Sequence, residues 1–486
     1  MKSKTKWRMP HPATMFMLLT IMVVFLSWIC DIYGLKVTLL QTGEEVRVQS
    51  LLSPEGIRWW LRNSIKNFTG FAPLGMVIIA MFGLGVARHA GFIDACIRIG
   101  IGNREKKHKI VWWVIALGLL SNAIGDGGYI ILLPIAAMLF QWVGMHPLAG
   151  MITAYVSVAC GYSANIVLST MDPLLAHTTQ EAALAQTGYQ GNTEPLCNYF
   201  FMSASTVLIA VIIYVITQKW LLRKLGAYTG DVKTEVYRPL SRKERRALMM
   251  SVLVAALYIA LVLWLTFSPY GILRGVNGGL MHSPFIAGIL FLLSLGTGLT
   301  GMAYGFSSGR YRSDRDVIEG LVDPMKLLGV YFVIAFFAAQ MFACLEYSHL
   351  DKCLAILGAE MVSSFPVAPL GALVLFILFT ACVNLIMVSA TSKWAFMSFI
   401  FIPIFAQMGI TPDVVQCAFR IGDSSTNALT PFLFYMPLVL TYMRQYDNRV
   451  TYGTLLKYTW LYSLAILAVW IILFIVWFLL KIPVGL

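Results

Sequence analysis

Long apolar runs leave this chain few folds to adopt. They cover approximately 13–34, 70–97, 110–143, 147–172, 199–218, 248–268, 283–304, 326–346, 367–409, 412–438 and 458–481. A helix needs about 20 apolar residues to cross roughly 30 Å of hydrocarbon, so most runs fit one crossing each. Only 12% of the 486 residues are charged, and mean hydropathy is +0.75. That composition excludes a soluble enzyme, a disordered chain and a nucleic-acid binder, and it predicts an all-α integral membrane protein. The basic start MKSKTKWR resembles a signal peptide. The run behind it is long enough to span, however, and no A-x-A site closes it, so it reads as a retained first helix.

Two runs, 110–143 and 367–409, are too long for one crossing and carry polar breaks in the middle. The breaks are Ser121-Asn122-Ala123-Ile124-Gly125-Asp126-Gly127-Gly128 and Ser389-Ala390-Thr391-Ser392-Lys393. Such breaks are tolerated in a membrane only where protein or a water-filled cavity satisfies the backbone. Both runs therefore read as re-entrant hairpins, which leaves about nine full spans. With the amino terminus in the cytoplasm and each hairpin returning to its own side, 25 Lys and Arg fall inside and 8 outside. This is the positive-inside bias of a multi-pass inner-membrane protein, and it uses the net charge of +13 without invoking nucleic acid.

One outside loop departs from the bias. Ser53-Pro54-Glu55 starts a helix in which Trp59, Trp60 and Phe68 interleave with Arg58, Arg62 and Lys66. It reads as an amphipathic helix lying in the interface, the alternative being a solvated loop helix. Asn67-Phe68-Thr69 also fits a glycosylation acceptor.

The hairpins have similar sequels. Pro134-Ile135, Gly144-Met145-His146-Pro147, Gly161-Tyr162-Ser163-Ala164-Asn165 and Pro173 follow the first. Pro403-Ile404, Gly409-Ile410-Thr411-Pro412, Gly422-Asp423-Ser424-Ser425-Thr426-Asn427 and Pro431 follow the second. The first unit begins inside and the second outside, which makes an inverted repeat, the plan of many secondary transporters. The chain divides accordingly. Residues 1–69 hold the first span and interfacial helix. Residues 70–218 form the first repeat, with hairpin 110–143 and broken helix 147–172. Residues 219–247 are a basic cytoplasmic loop, and 248–325 connecting spans. Residues 326–486 form the second repeat, with hairpin 367–409 and broken helix 412–438. Substrate and ions in such folds sit at the broken helices, where Asn and Ser oxygens and freed carbonyls suit Na⁺. Asn165 is one such oxygen.

Charges within the apolar runs need reasons. Arg88 and Asp94 fit snorkelling near a span end. Asp126 sits at the first hairpin break, Asp172 at the end of the first broken helix, and Lys393 at the second hairpin beside Trp394. Arg420 and Asp423 are i, i+3 on one face. Either they neutralise each other, or Arg420 grips an anionic substrate while Asp423 binds a cation or relays a proton. Trp394 either packs or stacks on a planar substrate.

In several blocks and in order, the sequence resembles the p-aminobenzoyl-glutamate transporter (AbgT) family. The blocks are Pro10-His11-Pro12; Leu51-Leu52-Ser53-Pro54-Glu55-Gly56 on to Asn67-Phe68-Thr69-Gly70-Phe71-Ala72-Pro73-Leu74-Gly75; His146-Pro147 with Ala149-Gly150; Cys160-Gly161 with Ala164-Asn165 and Asp172; and Phe419-Arg420-Ile421 with Asp423-Ser424-Ser425. The resemblance implies a homodimer of nine-helix, two-hairpin subunits that moves p-aminobenzoyl-glutamate, with some members exporting sulfonamide-type antimetabolites. It places transport residues at Asp172, Asn384, Trp394, Pro412, Arg420, Asp423 and Pro431, with Asn384 and Asp423 as sodium ligands. Thr391 stands where the family often has Ser.

The expectation is thus an ion-coupled secondary transporter of an aromatic carboxylate, using Na⁺ or H⁺ and no cofactor. A sodium-coupled dicarboxylate symporter of similar architecture is the nearest alternative. An integral membrane transferase is the alternative of another class, but the chain shows no paired His or acidic cluster at metal spacing, and no Walker motif.

Overall fold

The computed structural model describes residues 11–38, 45–101, 107–122, 127–167, 169, 171–187, 194–228, 240–268, 271–275, 283–350, 352–353 and 368–485. Asp126 lies outside these residues. The chain opens with α1 (Pro12–Ile32), a two-stranded antiparallel ribbon β1 (Lys36–Thr38) and β2 (Glu45–Arg47), α2 (Pro54–Thr69), α3 (Ala72–His89) and α4 (Phe92–Ile101). Next come α5 (Lys107–Ser121), α6 (Gly127–Trp142), α7 (Pro147–Cys160), α8 (Met171–Thr187) and α9 (Tyr199–Ile216). A π turn leads from α9 into the short α10 (Leu222–Leu225). Then follow α11 (Arg242–Phe267), α12 (Pro284–Ala287), α13 (Ile289–Ser308) and α14 (Asp314–Ser348). The chain closes with α15 (Pro369–Asn384), α16 (Ala390–Gln407), α17 (Pro412–Ser425), α18 (Met436–Arg444) and α19 (Tyr452–Leu479).

Among the described residues, seven helical stretches are long and apolar enough to cross a membrane. The post-hairpin helices are not among them. Helices α7 and α17 have 14 residues each, about 21 Å of helix, and each stops in an irregular segment before α8 or α18.

Both expected hairpins are helix pairs, α5–α6 and α15–α16. The second one breaks earlier than its sequence suggests. Helix α15 ends at Asn384, and Ser389 caps α16 by accepting from the Ser392 backbone N–H at 3.3 Å. Lys393 is therefore helical rather than part of the break, because a Ser N-cap fixes the helix start ahead of it. The repeat alignment also shifts. Both α7 and α17 begin with Pro at the first helical position, so Pro147 matches Pro412 and Cys160 matches Ser425. Gly161 follows the end of α7, whereas Gly422 lies inside α17. The 173–198 segment, which reads as a loop between the apolar runs 147–172 and 199–218, contains most of α8, which packs against α16 and α17. Asp172 accordingly begins a helix instead of ending one. Likewise α14 starts at Asp314, ahead of the apolar run 326–346.

The two units pack reciprocally. Helix α8 of the first docks on α16 of the second, while α18 of the second docks on α6 of the first. A matched pair of side-chain bonds accompanies this. Asn122, just after α5, donates to the Val158 carbonyl at 3.2 Å, and Asn384, ending α15, donates to the Asp423 carbonyl at 2.6 Å. Val158 and Asp423 each stand third from the end of their helix.

The remaining helices wrap this centre. Helix α3 packs on α13 and α14, and α13 on α11. Helix α2 forms as expected, with Ser53 accepting from the Gly56 N–H at 3.0 Å. Its aromatic side, however, faces protein. Trp59 stacks on Tyr347 at 4.2 Å, Trp60 Nε1 donates to Gln340 Oε1 at 3.1 Å, and Asn67 Nδ2 donates to the same oxygen at 3.2 Å. Ile57, Leu61 and Ile65 are exposed beside the exposed Arg58, Arg62 and Lys66, and these make the interface-type surface. Arg88 and Asp94 line a charged cavity of 470 Å³ with Arg310, Asp323 and Lys326.

Helices α3 and α13 meet through small residues, the usual device where no hydrophobic effect draws helices together. A Cβ on Gly301 would lie 2.6 Å from the Ala87 Cα, and one on Gly83 would lie 2.0 Å from the Ser294 carbonyl oxygen. Gly301→Ala and Gly83→Ala should each lower the detergent-solubilised melting temperature, at a cost of roughly 1–3 kcal/mol for overpacking. Gly329→Ala, whose added methyl would meet nothing within 4 Å, should not. Equal melting temperatures for all three would contradict the close approach.

Candidate functional site

Four buried charged side chains meet where the two broken helices end. The i, i+3 pair Arg420 and Asp423 does not neutralise itself. Arg420 Nη2 lies 2.6 Å from Asp172 Oδ1 on α8, and Lys393 Nζ on α16 lies 2.7 Å from Asp423 Oδ1. Each ion pair therefore joins two different elements. All four residues are at most 6% exposed.

Asp172 is held by local geometry. Its Oδ2 accepts from the Ser169 backbone N–H at 2.6 Å and from the Ser169 hydroxyl at 2.9 Å, which leaves Oδ1 for Arg420. Arg420 Nη2 also donates to the Ser163 carbonyl at 3.0 Å, while its Nε is buried without a partner. The irregular segment after α7 is tied to α17 a second time, because the Ser163 N–H donates to Ser424 Oγ at 3.2 Å. Asn427 Nδ2 donates to the Ala159 carbonyl at 3.1 Å, closing the meeting of the two breaks. Carbonyls freed at helix ends need partners inside a membrane, and these side chains supply them.

Asn384 has a settled amide orientation. Its Nδ2 faces three oxygens: the Asp423 carbonyl at 2.6 Å, Asn427 Oδ1 at 2.8 Å and Thr426 Oγ1 at 3.1 Å. Its Oδ1 accepts from Lys393 Nζ at 2.6 Å. The Thr430 hydroxyl donates to the Leu385 carbonyl at 2.7 Å, so the second hairpin break is also satisfied by the broken helix.

Trp394 is fully buried, tilted against Phe419 at 4.5 Å between ring centres. Its indole N–H donates to Thr179 Oγ1 on α8 at 2.8 Å. From there a polar chain continues. Thr179 Oγ1 donates to Gln416 Oε1 at 2.5 Å, Gln416 Nε2 donates to Asn198 Oδ1 at 3.0 Å, and Asn198 Nδ2 donates to the Asp413 carbonyl at 2.8 Å.

The structure thus gathers Asp172, Asn384, Trp394, Arg420 and Asp423, as expected, together with Lys393. It does not gather the others. Thr391 is half-buried with its hydroxyl 3.4 Å from Ser389 Oγ. Pro412 starts α17, roughly 12 Å of helix from Arg420. Pro431 lies in the irregular segment before α18. Asn165 donates to the Tyr162 carbonyl at 3.1 Å, and its Oδ1 is buried without a partner. The sequence reading missed Thr179, Gln416 and Asn198. Gln416, four residues before Arg420 on the same helix face, was the one with a local signal.

Two open cavities flank α3. One is the charged cavity of 470 Å³; the other, of 570 Å³, lies beside Phe71, Phe342 and Tyr435. Neither is lined by Trp394, Arg420 or Asp423, and those three side chains are at most 2% exposed.

A family model described as "AbgT putative transporter family" matches residues 4–486. The chain belongs to the AbgT family. It is 31% identical over 479 residues to the p-aminobenzoyl-glutamate transport protein of Escherichia coli (strain K12), covering 98% of this chain and 94% of that protein. Among solved structures it is similar to the YdaH transporter of Alcanivorax borkumensis, at 34% identity and a TM-score of 0.55, covering 98% of this chain and 100% of that one. It is also similar to MtrF of Neisseria gonorrhoeae, described within a class of antimetabolite efflux pumps, at 34% identity and a TM-score of 0.53, over 96% and 95% of the two chains. The chain is a multi-pass membrane transporter, and the transferase alternative falls with that membership.

A buried ion pair that loses one partner leaves an uncompensated charge, at a cost of about 3–5 kcal/mol. Asp172→Ala and Arg420→Ala should each destabilise the protein more than the double variant does. Thermal unfolding of the four proteins in detergent checks this. Additive losses would mean that the pair is not coupled.

Proposed function

We propose that this transporter carries p-aminobenzoyl-glutamate or a closely related aromatic carboxylate across the inner membrane. We further propose that it works as a homodimer, with the amino terminus of each subunit in the cytoplasm and transport coupled to a cation gradient, Na⁺ or H⁺. The identity of the E. coli relative supports the substrate class. One observation carries the reading: Trp394 and Arg420 both bond to α8, at Thr179 and Asp172. These points are seven residues apart, roughly 10 Å along one helix face. That spacing suits a molecule with an aminophenyl ring at one end and carboxylates at the other.

Because α8 supplies both partners, its movement away from α16 and α17 frees the indole and the guanidinium together. A substrate carboxylate then replaces Asp172 on Arg420, whose planar fork and unpartnered Nε can take it bidentately. The aromatic ring lies against Trp394. Closure restores a water-excluded centre, and the reciprocal docking of α18 on α6 offers the same motion on the other side.

The similarity to MtrF supports a second cargo class, sulfonamide-type antimetabolites, which share the aminophenyl ring but lack the carboxylates. The experiment is counterflow of labelled p-aminobenzoyl-glutamate in proteoliposomes. Flux in the wild type, with a loss of roughly ten- to a hundredfold in Arg420→Lys and in Trp394→Ala, is expected from losing a bidentate contact and a stacking platform. Sulfonamide flux should fall in Trp394→Ala and change little in Arg420→Lys. A large effect of Arg420 with none of Trp394 would favour the dicarboxylate symporter. Absence of flux would refute the substrate.

A further inference from the structure

The family resemblance assigns a coupling sodium ion to Asn384 and Asp423, yet this chain already has a cation there. Lys393 Nζ lies 2.6 Å from Asn384 Oδ1 and 2.7 Å from Asp423 Oδ1, and the side chain is fully buried. A sodium ion needs several oxygens at bonding distance, and its cage here is not free. The Asp423 carbonyl, Thr426 Oγ1 and Asn427 Oδ1 all face the Asn384 amide nitrogen, which repels a cation. The two oxygens that remain converge on the ammonium. Charge gives the same answer. The centre holds two carboxylates, Asp172 and Asp423, against two cations, Arg420 and Lys393. It is neutral as built, and a sodium ion beside Lys393 would add an unpaired charge next to a like charge in a low-dielectric interior. The residues present do not fit the ion.

We propose that Lys393 is a tethered cation that takes the place of a coupling sodium ion, so that this transporter works without sodium. Its ammonium bridges the hairpin helices α15 and α16 to the broken helix α17, the cross-link that a bound ion would otherwise make. The side chain that defeats sodium binding holds both of the oxygens that the Asn384 amide nitrogen does not face. Shortening it would leave a carboxylate and an amide oxygen facing a space the size of a butylammonium group, a site for a small hard cation and its waters.

The inference rests on the transport reading only for the word coupling. Its test therefore uses purified full-length protein without substrate. Thermal unfolding and the fluorescence of Trp394's neighbourhood are followed while NaCl replaces KCl or choline chloride at constant ionic strength, across the millimolar range. The wild type should respond equally to all three salts. Lys393→Ala should gain a saturable, sodium-specific rise in melting temperature of several degrees, and Lys393→Ala with Asp423→Asn should lose it again. Lys393→Met, which keeps the volume and removes the charge, should show no gain. A saturable sodium-specific shift in the wild type that Asp423→Asn removes would overturn the proposal, and it is readable even if Lys393→Ala does not fold. So would a folded Lys393→Ala that ignores sodium. Failure of the substrate assignment would instead leave these responses unchanged and show only as missing p-aminobenzoyl-glutamate flux.

Discussion

Charge neutrality inside a low-dielectric interior is the constraint on which the centre of this protein depends. Four ionised side chains buried together are tolerable only if they cancel at short range and their remaining lone pairs and protons find partners. Two ion pairs of 2.6 and 2.7 Å meet that demand, and neither is local in sequence. Arg420 reaches across to α8, and Asp423 to α16. Such pairs add little net stability over well-packed apolar side chains, because desolvation opposes the attraction. What they enforce is register. Helix α17 cannot rotate or slide without exposing one charge from each pair, so the broken helices have a discrete closed arrangement rather than a continuum.

The same constraint explains why the inverted repeat is symmetric in backbone and asymmetric in chemistry. Asn122 and Asn384 perform one task, donating to a carbonyl third from the end of the helix that follows their hairpin. In the first unit the residue bearing that carbonyl is Val158; in the second it is Asp423. Backbone satisfaction is needed wherever a helix stops inside the membrane, so both units keep the Asn. At this position the carboxylate stands only in the second unit, where Lys393 pairs with it. The two units thus share the backbone bond and differ in the residue that bears the carbonyl, while the ion pair of Asp172 with Arg420 links one unit to the other.

Much of this was legible in the sequence because hydropathy and helix breakers report local needs. Run length alone exposes both hairpins, and Ser53-Pro54-Glu55 places the start of α2 correctly. What failed were inferences from local spacing to tertiary partners. The i, i+3 spacing of Arg420 and Asp423 is real, but their partners are 248 and 30 residues away, and no periodicity carries that information. Helix α8 reads as loop because its polar residues look solvated; in the fold Asp172 and Thr179 are spent on Arg420 and Trp394. The interface helix α2 departs from expectation for a related reason. Its tryptophans serve α14, and its smaller apolar residues face outward.

Helix α8 is where these contacts converge. It belongs to the first unit but is bonded to the second at two heights, by a charge contact and by an indole hydrogen bond. Both bonds are polar, short and directional, so they break over a small displacement, whereas the apolar contacts of α17 with α15 decay gradually. In the transport cycle proposed above, a groove sealed by two such latches on one rigid element would open in one step, presenting an aromatic face and a guanidinium at a fixed separation. In that scheme a ligand with carboxylates would engage both groups, whereas one with the ring alone would leave Arg420 to its Asp172 partner.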